Sequence, residues 1–225
     1  MPESTLARIE PRLTVRSFAA DEVLQSSDER IAKCYFPLRG MASILVTEAS
    51  GKSVDTAIVG TEGFVGLPVF LSTDSMPVDA MCQLDREAAV ISASDLRDSV
   101  AEDPPLAALL QRYTQMVLME LARLVLCNRV HGLQDRAARW LLQVHDRVGM
   151  EVPIHLTHEF LARMLGSQRP SVTLMLPGLE ARGLVQTTRG TISVPDPERL
   201  EAVACDCYRT IRDELDRLLR REREN

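Results

Sequence analysis

The segment spanning residues 156–194 leaves this chain fewer folds to choose from than any other. Thr157 is a good helix N-cap, and Glu159 places an acid in the first turn. Phe160, Leu161, Met164 and Leu165 recur at helical spacing, and Gly166 suits the left-handed residue that closes a short helix. A second helix is expected from Ser167 or Gln168. Pro170 would sit in its first turn, where no amide bond is lost, with Val172, Leu176 and Leu179 on the buried face. Two short helices about a Gly-containing turn predict a helix-turn-helix. Downstream of Gly183-Leu184-Val185, two Thr/Val/Ile runs flank Arg189-Gly190, which predicts a hairpin. The segment therefore reads as a winged helix. A helical pair that merely packs is the plainer alternative; the agreement of cap, glycine, polar helix start and hairpin argues against it.

The rest of the chain supplies two more units. After a short helix and a first strand within residues 1–20, strands are expected near 22–24, 33–36, 41–47, 53–59, 78–83 and 88–91. Gly40, Ser50-Gly51, Gly60, Gly63 and Gly66 punctuate them, the pattern of an all-β roll or barrel. Pro104-Pro105 then opens a helical run with no internal Pro or Gly for over twenty residues. A stripe that long outlasts one domain's core and predicts pairing with a second copy, through Leu109, Tyr113, Met116, Val117, Glu120 and Leu124. A helix wholly inside one protomer is the alternative.

Residues 128–132 read as a hinge. The helix expected over 133–148 places Ala137, Trp140, Leu141, Val144 and Val148 inward and Arg136, Arg139 and Arg147 outward. Asp196-Pro197 is an N-cap and N1 pair that launches a last helix, with Leu200, Val203, Cys207, Ile211, Leu215 and Leu218 on one stripe. The expected divisions are 1–103 for a sensor-like β-roll, 104–130 for the dimerisation helix and hinge, 131–196 for the DNA-binding winged helix, and 197–225 for a C-terminal amphipathic helix.

Net charge is −6, but it is unevenly placed: −8 over residues 1–103 and +2 over each of 104–155 and 156–194. The acid lies away from the winged helix, whose modest positive balance calls for a dimer and neutral phosphate contacts besides arginine. No stretch reaches the length of a membrane span, and the first twenty residues lack the apolar core of a signal peptide. Five dispersed cysteines suit a reducing cytosol. No nucleophile–base motif, phosphate loop or paired-carboxylate signature points to an enzyme.

The order β-roll, long helix, hinge, Arg-bearing helix, helix-turn-helix and wing resembles the Crp/Fnr family of bacterial transcription regulators. The match is most specific in Val130-His131-Gly132-Leu133-Gln134-Asp135-Arg136-Ala137-Ala138-Arg139-Trp140-Leu141-Leu142 and in residues 157–185. The resemblance implies an α+β chain: an N-terminal cyclic-nucleotide-binding-like roll, a long dimerisation helix and a C-terminal winged helix-turn-helix. It also implies a cytoplasmic homodimer on an inverted repeat in double-stranded promoter DNA, with RNA polymerase as a partner and no membrane. The competing class is a ligand-binding signalling module whose winged helix mainly mediates protein contact.

Two departures from the family matter. Nucleotide-binding members carry a Gly-Glu pair at the level of Gly66 and an Arg about a dozen residues on. Here those places read Gly66-Leu67-Pro68 and Pro77-Val78-Asp79-Ala80, and residues 67–85 contain no Lys, Arg or His. A phosphodiester anion needs a cation or aimed amides, so cyclic nucleotide is not expected to bind, and no cofactor is assigned. In the second helix, Pro170 and Leu174 replace the Glu and Arg that related members often carry, so the family's common half-site is not carried over.

The expected DNA contacts are Thr157, Gln168, Arg169, Ser171, Thr173, Leu174 and, on the wing, Arg189. No metal is assigned. On a continuous helix, Cys205 and Cys207 would diverge to nearly opposite sides, and Cys207 fits the apolar stripe as a small hydrophobe. Four clustered ligands for an iron–sulfur centre are not evident, and no His–Cys pair stands out for haem.

Overall fold

A computed structural model describes residues 1–83, 86–148, 154–188 and 190–223. Helix α1 (Glu3–Ile9) and a short 3-10 turn lead into β1 (Thr14–Phe18) and β2 (Val23–Gln25). Then come β3 (Lys33–Pro37), β4 (Ala42–Thr47), β5 (Ser53–Val59), helix α2 (Leu67–Phe70), β6 (Asp79–Cys82) and β7 (Arg86–Ser92). These strands form two antiparallel sheets, β1-β7-β3 and β2-β6-β4-β5. The inward residues alternate along each strand, so Phe18, Tyr35, Ala42, Val59, Ala80, Cys82, Ala88 and Val90 meet between the sheets. The expected strands are all present; α2, only four residues long, carries too little periodicity to be read from sequence.

Helix α3 (Ala93–Glu102) is capped by Ser92, whose Oγ accepts from the Asp95 amide at 3.0 Å. Helix α4 (Pro104–Val130) follows and runs 27 residues without interruption. Its first half covers the roll, with Leu106, Leu110, Tyr113 and Met116 packed against Ile9, Phe64, Ile91 and Leu96. Gly63 is fixed by this packing, since a Cβ there would collide with the Tyr113 ring. Tyr113, Met116 and Glu120, expected at a partner helix, are therefore buried inside their own protomer, while Leu109, Val117 and Leu124 are half-buried. The periodicity was legible, but not which of two possible neighbours each face would meet. Among the residues that α4 leaves exposed is a different stripe, Gln111, Gln115, Leu118, Ala122, Val125 and Arg129. Its 4-3-4-3-4 spacing is that of a coiled-coil seam.

Helix α5 (Leu133–Val148), strand β8 (Ile154–His155), helices α6 (His158–Met164) and α7 (Arg169–Ala181), and strands β9 (Gln186–Thr188) and β10 (Thr191–Ser193) form the winged helix, with sheet order β8-β10-β9. Its core joins Trp140, Leu141, Val144, Leu161, Leu165, Val172, Leu176, Leu179, Leu184 and Ile192, and continues without a break onto Met41, Leu45 and Ile58 of the roll. The last segment differs from the single helix expected. Helix α8 (Pro197–Glu201) ends early, residues 202–206 turn, and α9 (Cys207–Arg223) starts afresh and packs along α4. The interruption removes the geometric premise on which Cys205 and Cys207 were expected to diverge.

Candidate nucleic-acid interface

Local chemistry assembles the helix-turn-helix. Thr157 caps α6, its Oγ1 accepting from the Phe160 amide at 3.0 Å. The helix closes with Ser167 N donating to Ala162 O at 2.9 Å over Gly166, whose φ is +56°. From α5, Arg136 donates through Nη1 to Leu165 O at 2.9 Å and to Asn128 Oδ1 at 3.1 Å, which ties the turn to the end of α4. Helix α7 starts at Arg169 with Pro170 in its first turn and continues through Pro177 to Ala181.

Val172, Leu176 and Leu179 are buried, whereas Gln168, Arg169, Pro170, Ser171, Thr173 and Leu174 are exposed. Leu174 is 82% exposed, so the face carries an apolar group as well as a guanidinium. Gln168 makes no side-chain cap hydrogen bond and is free to reach outward. Thr173 Oγ1 lies 3.0 Å from His158 Nδ1, so its hydroxyl already has a partner within the protein. Thr157 is exposed beside this face. The wing is anchored from α7: the Thr187 amide donates to Glu180 Oε1 at 2.9 Å, and the Thr187 hydroxyl also donates to it. Those two bonds hold the Glu180 carboxyl below its ordinary pKa. Arg189, expected at the wing tip, lies outside the described residues.

Sequence reasoning missed the polar seam behind this interface. Arg139 and Arg147, expected outward, are buried because α5 is covered by the roll and α4 as well as by α6 and α7. Arg147 donates through Nε to Glu62 Oε1 at 2.7 Å, and its Nη2 lies 4.0 Å from Glu120 Oε1. Gln143 Nε2 donates to Glu120 Oε1 at 3.0 Å, and Arg139 donates to the side-chain carbonyl of Gln143. Burial pushes the Glu120 carboxyl up, opposed by the Arg147 charge. A second polar contact joins the domains nearby. Asp55 on β5 accepts from Trp140 Nε1 at 3.4 Å, Ser43 Oγ at 3.3 Å and the Ala57 amide at 3.1 Å. Burial pushes its carboxyl up to about 7 against those hydrogen bonds. The one signal available beforehand was the unusual coincidence of Arg139, Gln143 and Arg147 at i, i+4 and i+8 on a helix with an apolar face.

Residues 15–103 match the model of the cyclic nucleotide-binding domain, and residues 135–203 match that of the Crp-like helix-turn-helix domain. No curated protein matches the chain. Among solved structures it is similar to FixK2 from Bradyrhizobium japonicum, with 20% identity and a TM-score of 0.73 over 86% of this chain and 98% of that one. It is also similar to the c-di-GMP-responsive global regulator CLP of Xanthomonas campestris, with 19% identity and a TM-score of 0.70 over 87% and 100%. A CRP-family transcriptional regulator from Thermus thermophilus gives 20% identity and a TM-score of 0.66 over 84% and 96%. At these identities the likeness establishes the fold.

Proposed function

Because the chain belongs to the Crp/Fnr family of transcription regulators, we propose that it binds promoter DNA as a homodimer on an inverted repeat, with α7 in the major groove. The observation that carries this is the division of α7: three aliphatic side chains are buried, and Arg169, Ser171, Thr173 and Leu174 stand exposed on the opposite face. Arg169 is the one member of that set able to make a bidentate contact with guanine. Leu174 and the Thr173 methyl suit thymine methyl groups. Thr157, Gln168 and Ser171 suit phosphate or base-edge contacts, and Arg189 backbone phosphate.

The dimer would form through the exposed seam of α4, centred on Leu118, Ala122 and Val125, rather than through Tyr113, Met116 and Glu120. Leu118 and Val125 are 63% and 72% exposed in one protomer, a state that a second copy would relieve. Two α7 helices related by a twofold axis read half-sites about 34 Å apart. On this reading the protein works in the cytoplasm, and RNA polymerase is its partner at the promoter. No helix among the described residues is long and apolar enough to cross a membrane.

We further propose that the roll senses something other than a cyclic nucleotide. The short helix α2 puts apolar residues where nucleotide-binding members of the family carry a Gly-Glu pair, Pro68 and Val69 being buried, and residues 67–85 carry no cation. A mobility shift over a salt series on promoter DNA tests the main proposal. It predicts a specific complex whose affinity falls steeply with salt; a protein-contact module would give none. Calorimetry with cyclic AMP and cyclic GMP should register no binding, and micromolar affinity for either would overturn the sensor reading.

A further inference from the structure

Cys127 near the end of α4, His131 at its C-cap, and Cys205 and Cys207 at the interruption before α9 bring one ligand atom each to within 4.8 Å of one another. Cys127 Sγ lies 3.5 Å from Cys205 Sγ, and Cys207 Sγ lies 3.8 Å from His131 Nδ1. From these positions we propose a tetrahedral zinc site with three cysteine thiolates and one histidine as ligands. Zinc at its usual bond lengths sets ligand atoms about 3.5–3.8 Å apart, so the two shortest pairs are already at that spacing and the widest needs to close by about an ångström.

The chain supplies its own control for the plainer reading that buried cysteines pack as small hydrophobes. Cys34 sits among Ile31, Phe64, Val69 and Ile91, and Cys82 among Phe18, Ala42, Ala80 and Val90. Cys127, Cys205 and Cys207 instead form a buried cluster made of cysteine alone. The backbone is also built for it. A continuous helix would separate Cys205 from Cys207, and the chain breaks there, among the described residues of this segment, so that both thiols face Cys127.

The surroundings suit an ion. His131 directs Nδ1 at the cluster, and its Nε2 lies 3.8 Å from Asp206 Oδ1, which places a carboxylate on the far side of the ring from the cluster. On binding, three S–H bonds break and three Zn–S bonds form. The three protons leave to solvent, and the histidine lone pair completes the shell with no change of oxidation state. The resulting net charge of −1 would lie near the buried guanidinium of Arg139, whose positive charge favours a thiolate at Cys127. The ion would pin the start of α9 to the end of α4, beside the Asn128–Arg136 bond that holds the reader's turn. Its place in the molecule is therefore the junction between the dimer helix and the DNA-binding domain.

The test is metal analysis of the full chain, purified under reducing conditions from zinc-supplemented medium and desalted. About one zinc per chain is expected. Cobalt substitution should give the intense visible bands of a tetrahedral thiolate site. Cys205→Ser and His131→Gln should each lose the stoichiometric metal and alter the cobalt spectrum, while Cys34→Ala keeps both. Should a variant fold poorly, chelator treatment of the wild type followed by zinc add-back provides the independent measurement: Tm should fall and then recover. Metal-free wild type, iron in place of zinc, a Cys127–Cys205 disulfide in the reduced preparation, or a cobalt spectrum unchanged in both ligand variants would each overturn the proposal.

Discussion

Helices α5 and α7 lie side by side in one domain, both bear arginine, and they treat it oppositely. On α7, Arg169 is exposed at the helix start, whereas on α5 Arg139 and Arg147 are buried among Glu62, Glu120 and Gln143. A charge meant for a partner molecule must stay in water until the partner arrives. A charge used to orient domains must be matched inside the protein, because an unmatched buried ion costs several kcal/mol. The contrast fits the proposed roles of reading for α7 and positioning for α5, and it can be broken at either end.

The largest effect is expected at the buried end. Arg147→Ala strips Glu62 of its guanidinium partner, leaves Glu120 with only the weaker help of Gln143 and Arg139, and should cost about 3–5 kcal/mol in thermal or urea unfolding. A loss under about 1 kcal/mol would mean that the seam is wet and does not fix the domains. The α4 seam sharpens the contrast between faces of one helix. The double variant Leu118→Glu, Val125→Glu should sediment as a folded monomer at micromolar concentration, because it places carboxylates in the apolar contact that we propose between copies. Met116→Glu should instead lower stability by about 2–5 kcal/mol, since Met116 belongs to the protomer core. If Met116→Glu yields a stable monomer and the seam variant a dimer, the faces are reversed.

On the proposed DNA-contacting side, Arg189→Ala should weaken binding to all sequences alike and reduce the salt slope by roughly one unit per wing. A change in consensus would make the wing a base reader. The smallest effect concerns Asp55, which ties the roll to Trp140. Its folded carboxyl is raised to about 7 from an ordinary 3.8, so between those values the folded protein holds a proton the unfolded chain has released. Stability from this group therefore falls as pH rises through that window and stays at its lower level above about 7. Asp55→Asn should flatten that slope and raise stability at about pH 8 by about 1–2 kcal/mol. An unchanged pH profile would remove Asp55 from the interface.

The fold was largely legible because its signals are local. Thr157, Gly166 and Pro170 each act within a turn of their own position, and the strands of the roll are bounded by glycines. What was not legible depended on contacts far apart in the chain. Arg147 and Glu62 are 85 residues apart, and Cys127 and Cys205 are 78 apart, so nothing near either residue announced its partner. The direction of Tyr113, Met116 and Glu120 failed for the same reason, since an apolar stripe says that it will be covered without saying by what. The relation of Cys205 to Cys207 depends on whether the helix is broken, and the break at 202–206 has no glycine or proline to mark it.

The central claim, that α7 reads sequence, is tested most directly by binding-site selection from random duplexes with the wild type and Arg169→Ala. The wild type is expected to enrich an inverted repeat with half-site centres about 10 base pairs apart. Arg169→Ala should lose preference at one base pair in each half-site and about 1–3 kcal/mol of affinity for the selected operator. If Arg169→Ala returns the full wild-type consensus at undiminished affinity, α7 is not the base reader.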